Sequence, residues 1–198
     1  MDESALVQAA QRGDIQAFNA LVLSYQSQAY HVAYRILGDP AAAADATQEA
    51  FLSAYQSIRA FRGGSFKSWI LRTVTNACYD ALRYHKRRPA ASLDGLGAED
   101  NTQAGNFEAF LASGDESPAE AAERRELREA ITQAALTLSV DQRVTFVLSD
   151  IQGLSYEEIA EIMQTSVGTV KSRLSRARAK LRDHLLRRPE LLPDEYRQ

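Results

Sequence analysis

The stretch Gly153–Arg178, GLSYEEIAEIMQTSVGTVKSRLSRAR, decides how the chain is read. Ser155 and Glu158 form an S-x-x-E capping box, each side chain satisfying a backbone N–H that a helix start leaves unpaired, so a helix begins at Tyr156. Ile159, Ala160, Ile162 and Met163 give it an apolar face at helical spacing, and Gln164-Thr165-Ser166 then interrupts the period. A second helix starts after Ser166, its N-cap. Val167, Val170, Leu174 and Ala177 form its apolar stripe, leaving Thr169, Lys171, Ser172, Arg173, Ser175 and Arg176 on the other faces. Two helices crossing at roughly 90–120° through a short turn need a small residue at closest approach, and Ala160 supplies it. The pattern is a helix-turn-helix whose second helix is polar and basic outward. Such a helix fits a major groove, where Arg and Lys reach guanine edges, Ser and Thr reach base or phosphate, and the N-terminus favours a phosphate. An amphipathic pair with a solvated charged face has a similar pattern. The agreement of caps, interrupted period and basic run favours duplex DNA, with Ser166, Thr169, Lys171, Ser172, Arg173, Ser175 and Arg176 as contacts.

The supporting helices lie just upstream. Ser117-Pro118-Ala119-Glu120 reads as an N-cap, a proline at the first helical position and a completing glutamate. The helix it opens runs through Ala121, Leu127, Ile131, Ala134 and Ala135. Another opens at Ser139, where Gln142 completes an S-x-x-Q cap, and Val144, Phe146, Val147, Leu148 and Ile151 are its core candidates. After Arg188, Pro189 and Pro193 end regular structure.

The amino-terminal half is also helical. Leu6, Ala9, Ala10, Ala17, Phe18, Leu21, Val22 and Tyr25 follow a helical period broken near Gly13-Asp14, and Gln28–Leu37 continues as another helical stretch stopped by Gly38-Asp39-Pro40. A further helix starts near Ala41, with Ala46, Ala50, Phe51, Ala54, Tyr55 and Ile58 on one side and Asp45, Gln48 and Glu49 on the other. No alternating run suggests a strand. Phe61-Arg62-Gly63-Gly64-Ser65-Phe66 breaks the pattern with adjacent glycines, a loop whose backbone can approach a ligand closely. Trp69 shares a helical stripe with Ile70, Thr73, Val74 and Ala77 and reads as core.

Charge is unevenly distributed along the 198 residues, whose net charge is −3. Residues 1–88 have a slight positive excess concentrated in Arg83, Lys86, Arg87 and Arg88. The next fifty are acidic, and Lys171–Arg188 is basic again. Two basic segments around an acidic middle suggest two contacts with a polyanion. Pro89–Asp115 is rich in Gly, Ser, Asn, Ala and acids, with no sustained period, and reads as an extended linker. Cys78 stands alone, which excludes an internal disulfide framework or Cys-based zinc site and suggests a small core residue. His31, His85 and His184 have no metal or catalytic spacing, and no Walker or dinucleotide glycine loop appears. We therefore expect no enzyme activity, no metal and no cofactor. The longest apolar runs fall short of the roughly 18 residues of a membrane span, and MDESALVQ is unlike a signal peptide, so we expect a cytoplasmic protein without membrane insertion.

LSYEEIAEIM followed by VGTVKSRLSRARAKL resembles region 4 of bacterial RNA polymerase sigma factors of the extracytoplasmic-function, sigma-E-like group. Asp45–Arg83, DATQEAFLSAYQSIRAFRGGSFKSWILRTVTNACYDALR, resembles region 2 of the same family. Finding both patterns in that order extends the resemblance over nearly the whole chain. It implies an all-α fold of two small helical domains: region 2 at 1–88, an acidic flexible linker at 89–116, region 4 at 117–188 and a tail at 189–198. The function implied is that of an initiation subunit that binds core RNA polymerase and directs it to promoters. Region 4 would read the minus-35 duplex while region 2 melts and reads single-stranded minus-10 DNA, and an anti-sigma factor would regulate the whole. Asp45, Gln48 and Glu49 match the polymerase-docking helix, although Ala42, Ala43 and Ala44 stand where relatives often carry acids. Phe61, Arg62, Ser65, Phe66, Lys67, Asn76, Tyr79 and Arg83 match the minus-10 element, where a flipped base needs stacking surface and donors and a single strand needs positive charge. Lys86-Arg87-Arg88 suits a phosphate or solvent equally. The acidic linker suits a mimic of nascent RNA or a solubilising tether. Gln164 stands where relatives often have glycine in the turn. A free-standing operator-binding regulator and a serine recombinase with a DNA-binding tail are the competing readings; the region 2 pattern disfavours the first and the helical first half the second.

Overall fold

The computed structural model describes residues 2–87, 126 and 129–187, and every regular element among them is helical. The expected linker 89–116, the cap at Ser117-Pro118 and the tail 189–198 lie outside the described residues.

The amino-terminal domain contains α1 (Glu3–Gln11), α2 (Ile15–Leu37), α3 (Pro40–Ser57) and α4 (Phe66–Arg87), with a 3-10 turn at Ile58–Ala60. Each of the first three is capped by the aspartate before it. The Asp2 carboxylate accepts the Ser4 N–H, Asp14 those of Gln16 and Ala17, and Asp39 that of Ala42, with Pro40 in the first turn. The two helical stretches expected on either side of Ser24–Gln28 are one continuous helix, because no Gly or Pro interrupts it and Ala17, Phe18, Leu21, Ala29, Val32, Ala33 and Ile36 keep one buried stripe. Gly38, at φ 77, ends it in a left-handed cap. In α3, Ala46, Ala50 and Ala54 are buried as the period requires, but Tyr55 is 44% exposed, its ring meeting Phe18 at 5.1 Å. The small residues along α3 let α2 and α4 approach it closely.

The carboxy-terminal domain contains α5 (helical residues 129–136), α6 (Val140–Phe146), a π-helical turn (Val147–Ile151), α7 (Tyr156–Ile162) and α8 (Val167–Leu185). The expected S-x-x-Q box at Ser139 is not formed. Ser139 precedes α6, but its side chain accepts no capping bond, and Gln142 is turned inward with a buried Oε1 that has no hydrogen-bond partner among the described residues. The continuous helix expected after Ser139 widens at Val147, where the Gln152 N–H reaches back to the Val147 carbonyl at 3.0 Å. Ser155 and Glu158 make the full reciprocal box.

Val144, Val147, Leu148, Ile159 and Val170 of this domain share one apolar cluster with Ala33, Ile36, Ala43, Leu71, Val74 and Cys78 of the other. The domains are therefore packed together, with α4 against α7 and α2 against the π-turn. Arg143 crosses the junction, donating to the carbonyls of Ile36, Leu136 and Leu138. No described helix is long and apolar enough to cross a membrane.

Two measurements check this packing. Ser155→Ala removes the acceptor of the Glu158 N–H and should cost about 1 kcal/mol, a fall of about 2–4 °C in thermal unfolding; an unchanged midpoint would deny the box its role. Burial pushes the Cys78 thiol up to about 12. It should react with a disulfide reagent at neutral pH at least about a hundredfold more slowly than the unfolded chain, whose thiol titrates near 8.5. The contribution of the protonated thiol to stability is complete below about pH 8.5 and is lost as pH rises toward 12.

Candidate nucleic-acid interface

The recognition surface is built on the α7–turn–α8 unit. Gln164 adopts φ 49, the left-handed value, and Thr165 N–H closes the turn on the Ala160 carbonyl at 2.9 Å. A non-glycine residue is held there against a steric cost of about 1–2 kcal/mol, with Ala160 and Ile162 buried on one side and Ser166 opening the next helix. Ser166 Oγ accepts the Thr169 N–H at 3.1 Å and lies 2.9 Å from its hydroxyl. Val170, Leu174, Ala177 and Leu181 are buried along α8, anchoring it. Val167, expected on the same stripe, is half-buried at the helix entry.

The opposite faces carry the expected polar residues. Ser166, Lys171, Ser172, Ser175 and Arg176 are exposed, and Thr169 is half-buried. Lys171 Nζ lies 6.0 Å from the centre of the Tyr156 ring, within cation–π range. Arg173 is different: its guanidinium pairs with the Asp141 carboxylate on α6, and its side chain is 24% exposed. Arg178, adjacent to this set, is bound by both oxygens of Asp150 at 2.9 and 2.6 Å, and these bonds raise its already high pKa. It acts as a strut between α8 and the π-turn.

In the amino-terminal domain, Gly63 and Gly64 hold φ 91 and 90 at the loop tip, and Arg62 and Ser65 flank them in the open. Beneath lies a cluster of Phe61, Phe66 and Trp69, with centroids 5.3–5.9 Å apart. Phe66, expected as a stacking surface, is 1% exposed and belongs to the core. The packing of the first turn of α4 against α2 and α3 requires a large apolar residue there, so Phe66 supports the loop while Phe61 and Trp69 are half-buried. Asn76 is exposed and lines a polar groove of about 320 Å³ between α3 and α4, together with Arg72, Thr73 and Asp80. Arg72 was not among the expected contacts; its place one turn before Asn76 was the available signal. Arg83 is exposed and pairs with Asp80 at 2.9 Å. Lys86 is exposed; Arg88, and the side chain of Arg87, lie outside the description.

Two further residues of this group turn toward the other domain. Lys67 Nζ donates to the Gln152 carbonyl at 2.7 Å, and the Tyr79 hydroxyl donates to Asp141 at 3.0 Å. Burial, and then the Asp141 carboxylate, push the Tyr79 phenol upward. Sequence reasoning missed Asp141, because nothing local marks a carboxylate whose partners are 62 and 32 positions away. Asp45, Gln48 and Glu49 are exposed on α3. Gln48 also borders an apolar groove of about 990 Å³ between α2 and α3, lined by Phe18, Val22, Phe51, Leu52 and Tyr55.

A capped helix with buried apolar stripe and basic outer face, mounted on a short α7 through a tight turn, defines a helix-turn-helix protein of two helical domains. Residues 21–88 match the sigma-70 region 2 family, and residues 128–181 match sigma-70 region 4. The chain is 41% identical to the RNA polymerase sigma-H factor of Pseudomonas aeruginosa, over 89% of this chain and 90% of that one. It is 38% identical to the ECF RNA polymerase sigma-E factor of Escherichia coli K12, over 90% and 91%. The solved sigma factor RpoE of Bartonella quintana, in complex with the anti-sigma factor NepR, superposes with a TM-score of 0.64 at 26% identity, covering 86% of this chain and 98% of that one. The chain belongs to the extracytoplasmic-function group of RNA polymerase sigma factors, the non-catalytic subunits that direct transcription initiation to promoters.

Glu158 reports on the packing of α7 against α4. Its carboxylate accepts the Ser68 hydroxyl from α4 and the Ser155 N–H, and these bonds lower its pKa. Stability from Glu158 is therefore complete above its ordinary pKa and is lost as pH falls through the lowered one. Ser68→Ala should move the Glu158 titration upward in a side-chain NMR experiment; an unmoved titration would mean that Ser68 does not reach it in solution.

Proposed function

We propose that the two domains divide promoter recognition between them. Ser166, Thr169, Lys171, Ser172, Arg173, Ser175 and Arg176 contact the minus-35 duplex. The observation that carries this is the exposed face of α8, where Lys171, Ser172, Ser175 and Arg176 stand over a fully buried stripe. Arg176 has the reach for paired bonds to a guanine, while the serines and the capped N-terminus meet phosphate.

Arg62, Ser65, Lys67, Asn76, Tyr79 and Arg83, with Phe61 at the loop edge, engage the separated minus-10 strand, and Phe66 acts from below as the base of the loop. Arg72 extends the same groove. The two-glycine loop above an aromatic floor fits an unstacked base, and the cations fit its backbone. Asp45, Gln48 and Glu49 dock core polymerase from the exposed side of α3. The domain limits are those read from the sequence, 1–88 and 117–188, with 89–116 as linker. The relative caught with NepR supports control by an anti-sigma factor here too. Action on promoter DNA with bacterial polymerase assigns the protein to the cytoplasm.

The direct test is initiation by purified bacterial core polymerase across a promoter library, with and without this chain. Promoter-specific transcripts that depend on the chain are expected; duplex binding without initiation would favour a free-standing regulator. Arg176→Ala should weaken selection of the best minus-35 sequences by about 1–3 kcal/mol, roughly five- to 150-fold, and leave initiation from minus-10-dominated templates nearly intact. Equal selectivity in the variant would remove Arg176 from base readout.

A further inference from the structure

We infer that α1 braces the two-glycine loop and that Gln11, its last residue, is a positioning residue for the minus-10 strand. The inference rests on the assignment of that loop to single-stranded DNA, and it adds where the shape of the loop comes from. α1 precedes the region 2 match, which begins at residue 21, and none of its residues stands among those assigned to DNA. Contacts at both of its ends nevertheless reach the mount of the loop. At the start, the Glu3 carboxylate accepts the Tyr25 hydroxyl, and the Tyr25 ring lies 5.4 Å from that of Phe66. At the end, the Gln11 carboxamide donates to the Phe61 carbonyl at 2.6 Å and to the Ile58 carbonyl at 3.2 Å. Val7 and Ala10, buried between these ends, share one apolar cluster with Ile58, Phe66 and Ile70.

The Gln11 bonds matter because of where they fall. The Ile58 carbonyl already accepts the Phe61 N–H that closes the 3-10 turn, at 3.1 Å. The Phe61 carbonyl belongs to the peptide that leads into Arg62, and among the described residues no other group donates to it. The backbone is extended there, with φ −67 and ψ 118 at Phe61. The next fixed point is on the far side of the loop, where Ser65 Oγ accepts the Ser68 N–H at 3.1 Å. A peptide unit is planar, so holding its oxygen fixes the direction in which Arg62 departs. A Cβ at Gly63 or Gly64 would meet nothing within 4 Å, so a tilt of that first peptide is carried to the tip without a neighbour to correct it. One half-buried carboxamide 50 positions away therefore sets the entry of the loop. A loop held in shape before the strand arrives loses less freedom when it binds. Without Gln11 the groups that meet DNA would all be present, but they would not be aimed.

Trp69, the single tryptophan of the chain, gives the first readout. Its ring lies 5.3 Å from that of Phe61, so acrylamide quenching of its fluorescence follows the loop entry in the free chain. Gln11→Met keeps the length of the side chain and removes the donor. Quenching should rise about twofold in it, with helical content unchanged by circular dichroism. Gln11→Lys, which puts an ammonium donor in the same place, should bring quenching back toward the starting value. The second readout uses core polymerase and the promoters selected in the initiation assay. Gln11→Met should open about tenfold less DNA, measured as permanganate reactivity of unpaired thymines, in line with the loss of two hydrogen bonds. Gln11→Lys should restore most of that opening, and affinity for core polymerase should be the same in all three chains. Unchanged quenching in Gln11→Met, or raised quenching with undiminished opening, would overturn the inference. So would a loss of opening that Gln11→Lys fails to restore. Arg62→Ala, in the loop itself, separates this from the assignment of the loop to DNA. Opening that survives both Arg62→Ala and Gln11→Met fails that assignment and the inference with it, whereas opening lost only in Arg62→Ala fails Gln11 alone.

Discussion

The guanidinium of Arg143 is the constraint on which the arrangement of the molecule turns. It is 8% exposed and its desolvation lowers its pKa, a costly place for a charge without compensation. Compensation comes from three carbonyls at helix ends: Ile36 in the last turn of α2, Leu136 at the end of α5, and Leu138 just beyond it. Helix ends leave carbonyls unpaired and carry the negative end of the peptide dipole. One cation therefore satisfies two helix termini from two domains at once, and each would otherwise bury an orphan acceptor. Replacing it by an apolar residue would strand those acceptors, whereas losing one acceptor would strand the charge, so the junction is cooperative.

From that junction the placement of the DNA-facing elements follows. Fixing the end of α2 against α5 and α6 sets the position of α6, and α6 together with the π-turn supports α8 through Val144, Phe146 and Leu148. The π-turn matters because its extra backbone residue brings Gln152 to face Gln28 and Lys67, which an uninterrupted α-helix would carry around to a different side. The recognition helix is thus held by apolar packing from within, by Arg178 on Asp150 along its flank, and by Arg173 on Asp141 near its entry.

Local chemistry was legible in the sequence wherever one short segment contains both partners. The Ser155–Glu158 box, the Ser166 cap and the Gly38 stop all come from contacts within four residues, and the structure has them; the stripes of α3 and α8 are present too, apart from the exposed Tyr55 and the half-buried Val167. The same logic misread Ser139-x-x-Gln142, where the pattern is present but the packing of α6 turns the carboxamide inward. Tyr55 and Phe66 show the converse limit: a helical period gives the side of a helix but not how deep that side lies, and depth depends on neighbours far along the chain. The site residues divided along the same line. Exposed positions on α8 and the glycine loop were readable from periodicity, while the engagement of Lys67, Tyr79 and Arg173 depends on partners 85, 62 and 32 residues away. No sequence window encodes those pairings; they arise when two domains meet.

The paired glycines at 63 and 64 have one more consequence. A Cβ built at either position would meet nothing within 4 Å, so no neighbour dictates the path of the loop tip; only its torsion angles do. The ends of the loop, by contrast, rest on the ring cluster of Phe61, Phe66 and Trp69. The segment is a crown on a firm mount: the space around its tip would admit a side chain and the left-handed torsions would not, so what glycine supplies there is a backbone path and not room.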